Sequence, residues 1–344
     1  MKQDYNRRGF IRTAAIAGIG LGLAETIMPL SSFGLGSKIA GKRIGIIGLD
    51  TSHSVAFTKS LNTPGAESQY KGYTVVAAYP YGSRDIQSST ERIPGYIEDV
   101  KKLGVEISSS IKELLNKVDV VLLETNDGRL HLEQATEVFK AGKRVFIDKP
   151  VAATLADAIA IFKAAEKYKV PVFSSSSLRF STGAQEIAKG KVGKVLGADT
   201  FSPSKYEKTH TELFWYGIHG VETLFTVMGT GCKSVVQVDS SNTDLVVGTW
   251  DNGRVGTFRG IHEGKQVYGG TVFGDKGVSE IGNFGGYDPL LIKVIEFFET
   301  GIPPVSSQET LEICAFMEAA YESKKNNGAP ITIESMFKRA MAAR

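Results

Sequence analysis

The sequence is poor in cysteine, with only Cys232 and Cys314 among 344 residues. Two thiols cannot build a Cys-rich metal site or a disulfide scaffold, and they allow one disulfide at most. A surplus of charge is also missing. The first forty residues hold five of the 40 basic and two of the 37 acidic residues, so residues 41–344 carry 35 of each. The overall +3 belongs to the N-terminal segment, and the body makes no electrostatic case for binding nucleic acid or an acidic membrane surface. No stretch supplies the ~20 continuous apolar residues of a membrane span, so none is expected. Internal repeats, low-complexity tracts and long linkers are absent as well. What remains is ordinary globular composition, 42% hydrophobic and 22% charged, with length for two domains.

The first forty residues read as an address. Asn6-Arg7-Arg8-Gly9-Phe10-Ile11-Arg12 precedes an Ala/Gly-rich apolar run over residues 13–24, and Glu25 ends it. A positive start followed by a short apolar stretch is the pattern of an export signal. The paired arginines resemble the twin-arginine signal, which sends out folded proteins. Residues 1–40 are therefore expected to be a signal and spacer, and the mature protein periplasmic or otherwise exported.

From there strands and helices alternate. Short apolar runs at 42–48, 73–79, 118–123, 144–147 and 170–173 read as buried parallel strands, with helices expected at 111–117, 131–141 and 155–168. Such alternation implies right-handed βαβ units in an α/β, Rossmann-type doubly wound sheet over residues 41–178. Beyond Arg179 strand-like runs follow one another at 235–238, 244–250, 254–261 and 269–273, with turns such as Asp251-Asn252-Gly253 between them. That pattern predicts an α+β domain, 179–344, on an open, mainly antiparallel sheet.

Three places carry candidate chemistry. The first is the turn Gly48-Leu49-Asp50-Thr51-Ser52-His53, where a dinucleotide fold has three spaced glycines for the tight turn, the pyrophosphate and close helix packing. Only Gly48 is present. Asp50 would aim a carboxylate at two phosphates, so Asp50→Gly is expected to tighten nucleotide binding; His53 is bulky where closeness is wanted. Thr51 and Ser52 can add donors to the helix N-terminus, or Asp50 and Thr51 can cap it. After the second strand, Ser83-Arg84 suits a 2′-phosphate. The second place is Asp148-Lys149-Pro150 at the end of the fourth long strand, where open α/β sheets bind ligands. Lys149 can donate to a substrate oxygen there, the plain alternative being a solvated loop lysine. The third is the segment 215–226. At helical spacing Trp215, His219, Glu222 and Thr226 share a stripe, opposite an apolar face of Leu213, Val221, Leu224 and Met228. His219 with Glu222 one turn on suits general-base work. His210 lies nearby, but spacing fixes no third metal ligand, and no metal is expected.

In their order these pieces resemble the glucose–fructose oxidoreductase / inositol dehydrogenase (Gfo/Idh/MocA) family, as a divergent exported member, over residues 43 to about 333. Ala141-Gly142-Lys143-Arg144-Val145-Phe146-Ile147-Asp148-Lys149-Pro150 is similar to the family's A-G-K-x-V-x-x-E-K-P, with His131 closing the loop before it. Leu178-Arg179-Phe180 and Gly217-x-His219 resemble later family motifs. The resemblance implies NAD or NADP on the first domain, held by Gly48, Asp50, Thr51, Ser52, His53, Thr125, Asn126, His131, Asp148, Lys149 and Pro150. It implies a small carbohydrate or polyol against Arg179, His210 and Trp215, with Lys149 and His219 beside the reacting carbinol, Glu222 tuning the imidazole, and Tyr216 a weaker proton acceptor. A homo-oligomer, dimer or tetramer, is implied too. The sequence departs from the family at Asp50, His53, Trp215 and Glu222, and its loop 124–129 is longer and more charged.

Three functional readings follow. The first is an exported NAD(P)-dependent oxidoreductase acting on a sugar, glycoside or polyol hydroxyl. The others are an NAD-dependent glycoside-cleaving enzyme of the same fold and a cofactor-free sugar-binding protein.

Overall fold

Ile44, Ile46 and Ile47 are fully buried, so the first strand is covered on both faces, as its unbroken apolar run requires. The computed structural model describes residues 41–238 and 240–343; the expected signal and spacer lie outside them. Six parallel strands form the first sheet: β1 (Arg43–Ile47), β2 (Thr74–Tyr79), β3 (Glu106–Ile107), β4 (Val120–Leu123), β5 (Val145–Ile147) and β6 (Val172–Ser174). Their order is β3-β2-β1-β4-β5-β6. β1 thus lies between β2 and β4, and the direction of winding switches there. The crevice outside the carboxyl ends of β1 and β4 is where a doubly wound sheet takes a ligand.

The second sheet holds β7 (Val195–Pro203), β8 (Cys232–Val238), β9 (Thr243–Trp250), β10 (Val255–Ile261), β11 (Gly269–Gly274), β12 (Gly277–Glu280) and β13 (Ile331–Thr332), in the order β12-β11-β7-β10-β9-β8-β13. It is mixed rather than a pure meander, because β7 and β10 run parallel; every other pairing in it is antiparallel. β7 escapes a hydropathy reading for a physical reason. Its inward side chains are Ala198, Thr200 and Ser202, small groups that let the helix Ile218–Met228 approach. The contact is tight: a methyl added at Gly220 would lie 2.3 Å from the Phe258 ring and 2.8 Å from Ser202 Oγ. Gly220→Ala is therefore expected to cost about 1–3 kcal/mol through overpacking, measurable as a lower denaturant midpoint. An unchanged midpoint would show that the helix has slack.

The helix Asp288–Thr300 follows the second sheet in sequence but not in packing. Leu290, Leu291, Val294, Phe297 and Phe298 join Ile44, Ile46, Phe57, Phe146 and Phe173 in one core on the first sheet. Phe173 and Phe297 meet edge to face at 4.9 Å. The first domain of 41–178 therefore completes its core with residues from beyond 280. Cys232 and Cys314 are both buried and free. Among the described residues, no helix is long and apolar enough to cross a membrane.

Candidate active site

The turn after β1 uses Gly48 as a first glycine: φ is +92° and an added Cβ would come within 2.5 Å of the Thr125 backbone. At the second glycine position the structure corrects the expectation for Asp50. Its carboxylate does not face a ligand; it is 0% exposed and accepts from the Ser83 amide at 3.1 Å and the Asn126 amide at 3.0 Å. Burial raises its pKa while the amide donors oppose that rise. Asp50 thus ties together the loops after β1, β2 and β4. Asp50→Gly is expected to destabilise by about 2 kcal/mol or more, by leaving two amides without their charged acceptor, and not to tighten nucleotide binding. A rise in both nucleotide affinity and melting temperature in that variant would contradict this placement. Ser83 is occupied as well, its amide on Asp50 and its hydroxyl donating to Asp85.

Thr51 caps the helix Ser52–Asn62, its side chain accepting from the His53 amide. The His53 ring fills the place of the third glycine. It stacks on Phe57, meets Tyr287 edge on, and sets Nδ1 2.8 Å from Asp148 Oδ2. Burial would raise the Asp148 carboxyl, but His53 and Lys149 beside it prevail and hold it below the usual carboxylate range. Glu124, at the end of β4, is 0% exposed, and neither of its carboxylate oxygens has a hydrogen-bond partner. Burial first, and Asp148's charge second, push its carboxyl well above the ordinary value.

The second domain contributes the helix Ile218–Met228 and the turn before it. The helix begins later than its spacing suggests, so Trp215 is not on the His219 stripe; it closes a short 3-10 turn, Glu212–Phe214. His219 is buried, with Nδ1 2.7 Å from Ser176 Oγ. In the tautomer whose Nδ1–H donates to that hydroxyl, Nε2 carries the lone pair. Burial and then the Lys149 charge hold the imidazole well below 6.5, so it is neutral at neutral pH. Glu222 does not touch the imidazole as expected. It accepts from Ser175 Oγ, the Ser176 amide and Arg179 Nε, at 2.6, 2.7 and 2.7 Å. Arg179 in turn pairs with Glu309 at 2.7 Å and lies buried behind the site. Glu222 therefore acts on His219 only through the Ser175–Ser176 turn that both residues grip.

These groups surround a cleft of about 540 Å³ at the carboxyl ends of the first sheet. Of the residues singled out by sequence, Thr51, Ser52, His53, Asn126, Lys149, Trp215, Tyr216 and His219 line it. Gly48, Asp50, Thr125, Asp148, Pro150 and Glu222 do not. His131 is buried, its ring nitrogens facing the Thr125 and Val151 carbonyls, and His210 packs on Trp215 and faces Asp127 at 3.4 Å. Sequence reasoning missed Arg92, Lys205, Tyr268 and Tyr287 in the lining, and Ser176 and Glu124 behind it. The serine run 174–177 was a usable sign for Ser176. Tyr268, whose hydroxyl lies 2.9 Å from that of Tyr216, comes from a loop with no motif.

A nicotinamide dinucleotide needs donors for its diphosphate and an open switch-point crevice. The first turn of the helix Ser52–Asn62, Asn126 and Arg92 supply the donors on the cleft wall, and Asp50 keeps its charge out of it. The residues present fit that cofactor. Comparison with known proteins agrees. Residues 42–176 match the model of the Gfo/Idh/MocA oxidoreductase family, described as an NAD-binding Rossmann fold. The 1,5-anhydro-D-fructose reductase of Ensifer adhaerens is 31% identical over 122 residues, 34% of this chain and 36% of that protein. The chain thus aligns with about a third of that relative's length. A probable dehydrogenase from Thermotoga maritima superposes with a TM-score of 0.71 at 20% identity, covering 86% of this chain and 99% of its own. The scyllo-inositol dehydrogenase of Lactobacillus casei, solved with NAD(H) and scyllo-inositol, gives 0.69 at 13%, with 85% and 99% covered. The structural likenesses establish the two-domain fold, and the family match covers its first domain.

Proposed function

We propose that the protein is an NAD(P)-dependent oxidoreductase that moves a hydride from a carbinol carbon of a sugar, glycoside or polyol. The observation that carries the reading is that Lys149 and His219, from different domains, line one cleft. The nicotinamide, when bound, supplies the hydride acceptor. Everything else falls to the chain. Thr51, Ser52, Asn126 and Arg92 would hold the diphosphate, and a 2′-phosphate would have to rely on Arg84, because Ser83 has given its donors to Asp50 and Asp85.

A carbinol gives up hydride only as its hydroxyl proton leaves. His219 takes that proton at Nε2 while Ser176 holds the opposite nitrogen. Lys149, itself buried, stabilises the developing alkoxide with its ammonium charge. Tyr216, Tyr268 and Trp215 offer apolar ring faces with polar edges, a surface suited to a ring with C–H faces and a hydroxyl rim. Because burial depresses the His219 pKa, the proton acceptor stays free as pH falls through 6.5, and the acid limb of turnover should lie below that value. A limb at or above 6.5 would contradict the neutral imidazole. The reading itself is tested by denaturing the purified protein and scanning the supernatant for nicotinamide absorbance, with NAD-dependent melting as the second measurement. Neither retention nor a shift at millimolar NAD or NADP would overturn it.

Two further parts of the proposal rest on other features. Export rests on Arg7-Arg8 and the apolar run after them; mature protein found in the cytosol with Met1 retained would overturn it. A dimer or tetramer rests on the outer face of the second sheet, where Val255 and Phe273 are 45% and 42% exposed. A monomer in concentrated solution scattering would contradict that.

A further inference from the structure

We propose that His53, Glu124 and Asp148 form a binding site for one divalent transition-metal ion of the zinc–manganese class, set beneath the cleft between the ends of β1, β4 and β5. Each residue offers one ligand atom, and these atoms lie within 4.8 Å of one another. They arrive from three separate elements: the first helical turn after β1, the last residue before the β4 loop, and the residue after β5. Convergence at the switch point of the sheet brings them together, where open α/β folds place their ligands.

The second observation is the state of Glu124. Its side chain follows the apolar run Val120–Leu123 into a fully buried position, and both of its oxygens lack a partner. Asp148 Oδ1 beside it lacks one too. An interior carboxylate without donors is strongly unfavourable unless a cation meets it. The local charges show the same deficit. Asp50, Glu124 and Asp148 are all buried within electrostatic reach, and Lys149, 3.8 Å from Asp148 Oδ2, is the ammonium facing them. Three carboxylates and one ammonium are brought to neutrality by one divalent ion.

The donor set selects the ion. One imidazole nitrogen with two carboxylate oxygens suits zinc, manganese or iron(II); calcium and magnesium take all-oxygen shells. Binding would exchange the His53–Asp148 hydrogen bond for two bonds to the same ion. Three protein ligands leave a coordination position open. The inference does not depend on nucleotide binding.

The test uses the full-length protein, stripped with EDTA and offered Zn²⁺, Mn²⁺ or Co²⁺ in turn. After desalting, elemental analysis should find one equivalent, Co²⁺ should give a visible d–d spectrum, and the melting temperature should rise with ion concentration. Glu124→Gln keeps the shape and removes the charge; it should bind at least ~10-fold more weakly, the lower bound that outer-shell changes alone produce. In EDTA this variant should melt at or above the wild-type temperature, because a buried unpartnered acid has gone, which separates loss of metal from loss of fold. Asp244→Asn, in a buried network of the second sheet, should keep its full equivalent. Wild-type protein that retains none of the three ions and shows no shift at millimolar concentration overturns the proposal, as does Glu124→Gln with wild-type retention. Nucleotide is assayed on the same samples: ion without NAD upholds this inference and sinks the dehydrogenase reading, and NAD without ion does the reverse.

Discussion

Lys149→Ala is expected to reduce turnover at least ~10²–10³-fold on the true substrate, while NAD affinity changes little. The size follows from what the ammonium does. Charge grows on the substrate oxygen as its proton leaves, and Lys149 is a full charge held in place for it, 7% exposed at the end of a buried strand. Removing a preorganised donor of this type takes away stabilisation that the ground state does not share, so kcat falls and KM does not compensate. His219→Ala is expected to cost ~10²-fold or more, the usual worth of a general base. The two losses should not add fully, because both act on one oxygen. Near-wild-type rates in either variant refute the assignment, and activity in both turns the cleft into a binding site.

The second large effect is on stability. Arg179→Ala is expected to cost about 3–5 kcal/mol, since it leaves the buried Glu222 without its cationic partner. Glu309, on the other side of the guanidinium, loses its partner too. The measurement is chemical denaturation with unchanged m-value; a loss under ~1 kcal/mol would show that the buried ion pairs are not coupled as drawn. The double change Arg179→Met with Glu222→Leu should recover part of the loss, because an apolar pair of similar volume needs no counter-charge, while the Ser175 hydroxyl and Ser176 amide lose their acceptor. If His219 owes its position to the Ser175–Ser176 turn, that stable double variant still loses turnover.

The sequence was most informative where physics is local. Ile44-Gly45-Ile46-Ile47 read as a doubly covered strand and is one, and the Ser110 and Thr154 caps open helices at Ile111 and Leu155, where periodicity sets them. It was least informative where side chains choose among partners. Asp50 stood in a glycine's place, and nothing in its neighbours could show that two amides from loops 33 and 76 residues away would receive it. Glu222 had the spacing to reach His219, yet Arg179 and the serine turn claimed it. Glu124 looked like a loop residue because it follows the last apolar residue of β4, and the groups that bury it are distant in sequence. Lys149, His219 and the cleft itself were legible because strand ends at a switch point are where the fold leaves room.

The helix Asp288–Thr300 sets a timetable. A chain growing from its N-terminus finishes all six strands of the first sheet well before Leu290, Phe297 and Phe298 exist. Until about 120 further residues have been made, Ile44, Phe146 and Phe173 lack their covering layer, and an exposed apolar face of that kind invites association. The nucleotide crevice is formed by strand ends whose far side is unsealed during this interval, so cofactor capture has to wait for nearly complete synthesis. Chains stopped at residue 178 should aggregate or bind chaperones, and chains stopped at 305 should resist protease over residues 41–178. Equal protection of the two would show that the first sheet closes without its late helix.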